Sequence, residues 1–164
     1  MSARGAIDVL TQETATSSRR EPDVTLRGRC VVGGQAEGEA LVTREPISGW
    51  GGVDPRTGTV IETRHELRGQ SFKAKVLLFP GAKGSSGWSN TFHLCRAMGA
   101  APAAMLFVEM STKMALGAVV THAPSVTDFD SDPFELIRTG DWVQVDADRG
   151  EVRVWRPDPR PAQA

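Results

Sequence analysis

The chain has 164 residues, enough for one domain of ordinary size with a real core. Its 19 Lys and Arg stand against 20 Asp and Glu, so no global field favours nucleic acid or an acidic membrane as a partner. Two cysteines, Cys30 and Cys95, are too few for a disulfide framework or to hold an iron–sulfur cluster alone, no run approaches the roughly 20 apolar residues of a membrane span, and the N-terminus lacks a signal-peptide core, so a cytoplasmic protein with reduced thiols is expected.

Residues 1–23 are rich in Ser, Thr, Arg and Glu without a sustained period and read as a flexible N-terminal extension. The domain is expected over 24–156, with a flexible proline-rich tail at 157–164. Short β-type runs at Thr25–Val32 and Gly38–Val42 flank Gly33-Gly34, which predicts a hairpin or a sheet corner. Arg44-Glu45-Pro46 ends the pairing. In 47–55 three glycines surround Trp50, a loop able to bring backbone close to a ligand or partner, or equally a tight turn whose tryptophan covers the core. Asp54-Pro55 and Thr57-Gly58 are turn chemistry before a short strand over Thr59–Glu62, and His65 and Glu66 are expected to face solvent before the turn at Arg68-Gly69.

Val76–Phe79 is a continuous β-favouring apolar run, the pattern of a strand buried on both faces. Pro80-Gly81 breaks it, and Gly84-Ser85-Ser86-Gly87 leads into a helix through Trp88, Phe92, Cys95 and Arg96. Free amides and the helix dipole at such an N-terminus favour an anion or a developing negative charge. From spacing alone, serines before a helix are more often no more than helix caps. After Ala101-Pro102, Ala103–Val108 reads as a second buried strand, and strand, helix, strand in that order implies a right-handed crossover. Thr112–Leu116 reads as a helical turn and Gly117–Val120 as a strand end. Pro124–Thr127 is extended, Asp132-Pro133 caps a helix over Phe134–Arg138, and Asp148-Arg149-Gly150 turns a hairpin between Trp142–Val145 and Val152–Trp155.

Several chemistries are excluded. A P-loop needs lysine directly after its second glycine, whereas Lys83 precedes Gly84, and a nucleophile elbow needs GxSxG, whereas Trp88 lies two residues past Ser86. His65, His93 and His122 form no HxH or HxxxH pair, so no metal ligand set is assigned. Asp128, Asp130 and Asp132 match only the start of a calcium loop. Mixed strands and few helices predict an α/β fold, a compact sandwich or barrel with Gly84–Gly87 at the carboxyl end of a buried strand, where ligand sites of open α/β sheets lie.

Taken together, Gly33-Gly34, Glu37-Gly38-Glu39-Ala40, Glu45-Pro46-Ile47-Ser48, Trp50-Gly51-Gly52-Val53-Asp54-Pro55, Phe79-Pro80-Gly81 and Lys83-Gly84-Ser85-Ser86 resemble the small subunit of aconitase X. The resemblance continues through Ala101-Pro102-Ala103-Ala104, Leu116-Gly117-Ala118-Val119 and Thr139-Gly140-Asp141 to Val145-Asp146-Ala147-Asp148, about residues 25 to 155. It implies the swivelling β/β/α domain of the aconitase superfamily, in a hydro-lyase whose larger subunit carries the iron–sulfur cluster or iron and most substrate contacts. No cofactor is expected on this chain. The swivel domain supplies a base on a Gly-Ser-Ser loop, so Ser85 is the expected catalytic residue, with Gly84, Ser86 and Lys83 as substrate or loop contacts. Gly51, Gly52 and Asp54 are expected as a wall of the site or part of the subunit contact. In ordinary aconitases the motif continues with an arginine for a substrate carboxylate; Gly87 and Trp88 stand here, which removes the support for a tricarboxylate. The substrate expected from Ser86-Gly87-Trp88-Ser89-Asn90 and Phe92-His93, which are similar to the bacterial two-subunit form, is cis-3-hydroxy-L-proline. Mevalonate 5-phosphate and a non-catalytic swivel scaffold are the alternatives.

Overall fold

The structure is a computed structural model describing residues 20–158. Positions 1–19 and 159–164 of the expected extensions lie outside the described residues. Among the described residues twelve strands and three helices follow in order: β1 (Val24–Arg27), β2 (Arg29–Val32), β3 (Gln35–Val42), β4 (Ile47–Ser48), β5 (Val53–Asp54), β6 (Thr59–Val60), β7 (Val76–Phe79), β8 (Ala82–Lys83), α1 (Trp88–Ala97), β9 (Ala104–Phe107), α2 (Thr112–Thr121), β10 (Ser125–Thr127), α3 (Pro133–Leu136), β11 (Trp142–Asp146) and β12 (Glu151–Trp155).

Eight strands form one mixed sheet in the order β1-β12-β11-β3-β7-β9-β10-β2. Its two edge strands, β1 and β2, are consecutive in sequence and separated only by Gly28, so the sheet curls until its edges meet as a nearly closed barrel. Gly28 is the seam. Its N–H donates to the Gly150 carbonyl at 2.7 Å, and a Cβ on it would stand 2.5 Å from the Thr127 carbonyl oxygen. The single run expected over Thr25–Val32 is therefore two strands that pair on opposite flanks, β1 with β12 and β2 with β10. Gly33-Gly34 forms the sheet corner of the two expected alternatives, since β3 pairs with β11 and β7 and not with β2. Residues 20–23 are tied to the sheet: Asp23 N–H donates to the Val154 carbonyl at 2.9 Å, and Trp155 Nε1 to the Arg20 carbonyl at 2.6 Å.

The continuous apolar runs have the expected origin. β7 and β9 run parallel and every one of their residues is buried, because both faces of the sheet are covered. Val76, Leu78 and Leu106 point into the barrel with Val126, Val143, Val145, Val152 and Val154, whereas Leu77, Phe79, Met105 and Phe107 face an outer layer with Trp88, Phe92 and Met114. Two crossovers build that layer: β7–α1–β9 and β9–α2–β10, both between parallel neighbours.

Three local expectations are corrected. Gly117–Val120 is the second half of α2 and not a strand end: Ser111 caps the helix by accepting the Met114 N–H at 3.2 Å, and packing on α1 outweighs the β preference of Val119 and Val120. His65 does not face solvent but is 6% exposed, its Nδ1 accepting the Leu67 N–H at 3.0 Å inside the turn, while Glu66 stays exposed. Trp50 covers no core, being 84% exposed.

Gly117 has a packing role with a measurable consequence. A Cβ there would come within 2.0 Å of the buried Trp88 ring. Alanine in a helix interior gains at most about 1 kcal/mol over glycine, whereas forcing a methyl into a filled core costs typically about 1–3 kcal/mol. Gly117→Ala is therefore expected to lower the urea midpoint of the purified chain despite its better helix propensity, as read by circular dichroism.

Candidate active site

The two glycine-rich stretches singled out in the sequence are neighbours in space. A short parallel ladder pairs Ile47 with Ala82 and Ser48 with Lys83, so the loop leaving β4 and the loop leaving β8 emerge side by side. Trp88 at the start of α1 locks them together: its ring is buried and stacks on Phe92 at 4.0 Å between centroids, and its Nε1 donates to the Ile47 carbonyl at 2.9 Å. Gly49 is required where these loops touch, since a Cβ on it would stand 2.7 Å from Trp88 Cα.

Between the loops lies an open cleft of about 340 Å³ lined by Trp50, Ser85, Gly87, Asn90, Thr91, His93 and Leu94. Ser85 and Ser86 are exposed. Gly84 adopts φ +92°, a left-handed conformation that turns the chain out of β8 and presents the serines to solvent. The cap expected of the serine hydroxyls takes another form. Gly87 itself is the N-cap residue of α1 and carries no side chain to cap with, while Ser85 Oγ accepts the Gly87 N–H at 3.3 Å just ahead of the helix. The Ser85 hydroxyl thus faces one amide donor at a helix N-terminus and is otherwise open.

Lys83 ion-pairs with Glu62, Nζ to Oε1 at 2.6 Å, and this bond holds the Glu62 carboxyl below its ordinary pKa against the opposing effect of burial. Gly51 and Gly52 shape the turn that carries Trp50: Gly51 has φ +73°, and Gly52 N–H donates to the Gly49 carbonyl at 3.1 Å. Asp54 lies in β5 and does not line the cleft; its Oδ1 accepts the Arg56 N–H at 3.0 Å, which with the Arg56 guanidinium keeps its pKa low. Ser85 and Trp50 are therefore brought together, whereas Asp54 turns to its own arginine.

Sequence reasoning assigned no site role to four residues here. Asn90, His93 and Leu94 share one face of α1 at helical spacing, a pattern readable once Trp88 is fixed as inward. Lys113 reaches across from α2 and donates to the Gly84 carbonyl at 2.5 Å, a contact between residues 29 apart that no local pattern announces. Among the described residues no group of three or more His, Cys, Asp or Glu could hold a metal ion, and burial pushes the Cys95 thiol up to about 12 while Cys30 lies exposed. The donor set on the described residues therefore does not fit an iron centre. No helix among them is long and apolar enough to cross a membrane.

Residues 25–154 match the family described as the aconitase X swivel domain. The chain belongs to that family. Among curated relatives, the phosphomevalonate dehydratase small subunit of Methanosarcina acetivorans is 41% identical over 134 residues, 82% of this chain and 93% of the relative. The protein of the same name from Thermococcus gammatolerans is 43% identical over 129 residues, 79% and 96% respectively. Among solved structures, holo-form aconitase X of Thermococcus kodakaraensis superposes with a TM-score of 0.76 at 41% identity, covering 81% of this chain and 99% of that one. The solution structure of a UPF0107 protein gives 0.73, also at 41% identity, covering 81% and 100%. The nearly closed mixed barrel with three helices is thus the swivel fold of aconitase X. The two curated relatives carry the name of the phosphomevalonate enzyme, the alternative among the dehydratases expected from the sequence, and lend no support to the bacterial hydroxyproline type.

Proposed function

We propose that this aconitase X swivel domain is the small subunit of a two-subunit dehydratase, that mevalonate 5-phosphate is its substrate, and that Ser85 is its base. The observation that carries the reading is the exposed Ser85 hydroxyl, hydrogen-bonded to the Gly87 amide at the head of α1 on the wall of an open cleft. The names of the curated relatives support the substrate, and so does Lys113, whose ammonium sits on the Gly84 carbonyl.

In the reaction, the proton on the carbon next to the carboxylate passes to Ser85 Oγ. The electron pair it leaves forms a carbon–carbon double bond, the neighbouring C–O bond breaks, and the hydroxyl departs with a proton as water. A helix N-terminus stabilises an anion by roughly 0.3–2 kcal/mol, about one pKa unit at 1.36 kcal/mol each. That is far short of ionising a serine near neutrality. In the chain alone the exposed hydroxyl also competes with bulk water, which weakens every such interaction. The missing stabilisation falls to the large subunit, which closes the cleft, excludes water and brings further charge. Gly84, Ser86 and Lys83 serve as loop or substrate contacts, and the turn at Gly51 and Gly52 presents Trp50 to the partner or the substrate. The iron centre expected of the family belongs to the large subunit, and its chemistry when present is to assist departure of the hydroxyl.

The test is reconstitution. The chain is co-purified with its large partner and the pair is offered mevalonate 5-phosphate and cis-3-hydroxy-L-proline, with each subunit alone as control. Turnover of the phosphorylated substrate by the pair only is expected. Turnover of hydroxyproline alone would reject the substrate, and a stable complex inert toward both would favour a non-catalytic swivel.

A further inference from the structure

The serine loop is flanked by two lysines in unlike electrostatic settings. Lys83 is neutralised by Glu62 at 2.6 Å, so it offers little net charge to an arriving anion. Lys113 has no carboxylate within ion-pair distance among the described residues, and its ammonium is fixed by the Gly84 carbonyl at 2.5 Å. An ammonium has three N–H donors, of which this bond uses one. The amides of Ser85 and Ser86 make no hydrogen bond within the described chain, and the space outside Gly84 is open, with nothing within 4 Å of a Cβ built there. An unneutralised, fixed cation thus stands on the carbonyl side of the peptide bond that leads into Ser85, beside the exposed serine loop.

We infer that Lys113 is the specificity-determining residue of the site and receives a phosphate group carried by the substrate, an inference that rests on the mevalonate 5-phosphate reading above. Lys83, held by Glu62, orients the loop and contributes little to anion affinity. A planar guanidinium can replace the ammonium in contacting phosphate, whereas an apolar chain of similar length cannot.

The experiment uses the reconstituted two-subunit complex and two readouts. Inorganic phosphate is titrated by calorimetry into complexes carrying the wild-type chain, Lys113→Met, Lys113→Arg or Lys83→Met, and kcat and KM for mevalonate 5-phosphate are measured on the same preparations. Lys113→Met should weaken phosphate binding at least tenfold and raise KM by a similar factor with kcat within about threefold of wild type. Lys113→Arg should stay within about threefold of wild type throughout, and Lys83→Met should shift phosphate affinity less than Lys113→Met does. Three results would overturn the inference: no phosphate binding by the wild-type complex, equal phosphate affinity in Lys113→Met and wild type, or a fall in kcat with affinity unchanged, which would reduce Lys113 to holding the loop. Because the titration needs no turnover, a complex that dehydrates only cis-3-hydroxy-L-proline would defeat the substrate reading while the role of Lys113 is still read from phosphate affinity.

Discussion

Replacing Ser85 with alanine should lower kcat of the reconstituted complex by roughly 10²–10⁴-fold, the range supplied by one positioned general base, with little change in KM or in complex formation. The side chain is exposed, and its one hydrogen bond is to the Gly87 amide, which stays accessible to water when the hydroxyl is removed. Folding should therefore be preserved, with a stability change within about 0.5 kcal/mol. Turnover is measured under saturating substrate and assembly by size-exclusion chromatography of the mixed subunits. Ser86→Ala is the informative neighbour. It too is exposed but has no bond from the helix head through its hydroxyl, so a smaller loss is expected there.

Trp88→Ala should be the most destabilising of the substitutions considered, at about 3–5 kcal/mol for truncating a fully buried tryptophan. Against a total of roughly 5–15 kcal/mol for a domain, much of the folded population is at risk. Three effects combine. The cavity opens between α1, α2 and the sheet, where Gly117 was shaped to the ring; the stack on Phe92 is lost; and the Ile47 carbonyl loses its donor. The last of these also frees the β4 loop from the serine loop, so any folded fraction should assemble a poorer cleft. Urea denaturation of the purified chain measures the shift. Trp50→Ala supplies the contrast, since a ring 84% exposed should leave the midpoint nearly unchanged.

Much of the architecture was readable from the sequence because burial on both faces leaves a plain signature. The runs at Val76–Phe79 and Ala103–Val108, and the helix between them, announce the crossover that joins β7 to β9. The Asp148-Arg149-Gly150 turn fixes β11 against β12 in the same way. Closure of the barrel was not readable, because Gly28 parts two strands that look like one, and its reason is the approach of Gly150 and Thr127 from distant parts of the chain. Gly117 misled for a related reason: as a breaker it suggests a strand boundary, whereas it makes room for Trp88 inside a helix. The serine loop was visible in Gly84–Gly87, but its neighbours Lys113, His93 and Trp50 come from three separate segments, and only tertiary packing brings them together.

The most direct measurement follows the proton itself. The reconstituted complex is incubated with substrate in deuterated water, and exchange at the carbon next to the carboxylate is monitored by NMR alongside product formation. With the wild-type chain, deuterium should enter the substrate pool, or substrate deuterated at that carbon should be dehydrated with a primary isotope effect; with Ser85→Ala both cleavage of this C–H bond and product formation should fall together by at least a hundredfold. C–H cleavage at a near wild-type rate in Ser85→Ala would show that the base lies elsewhere, and the role given to the Gly84–Gly87 loop would have to be abandoned.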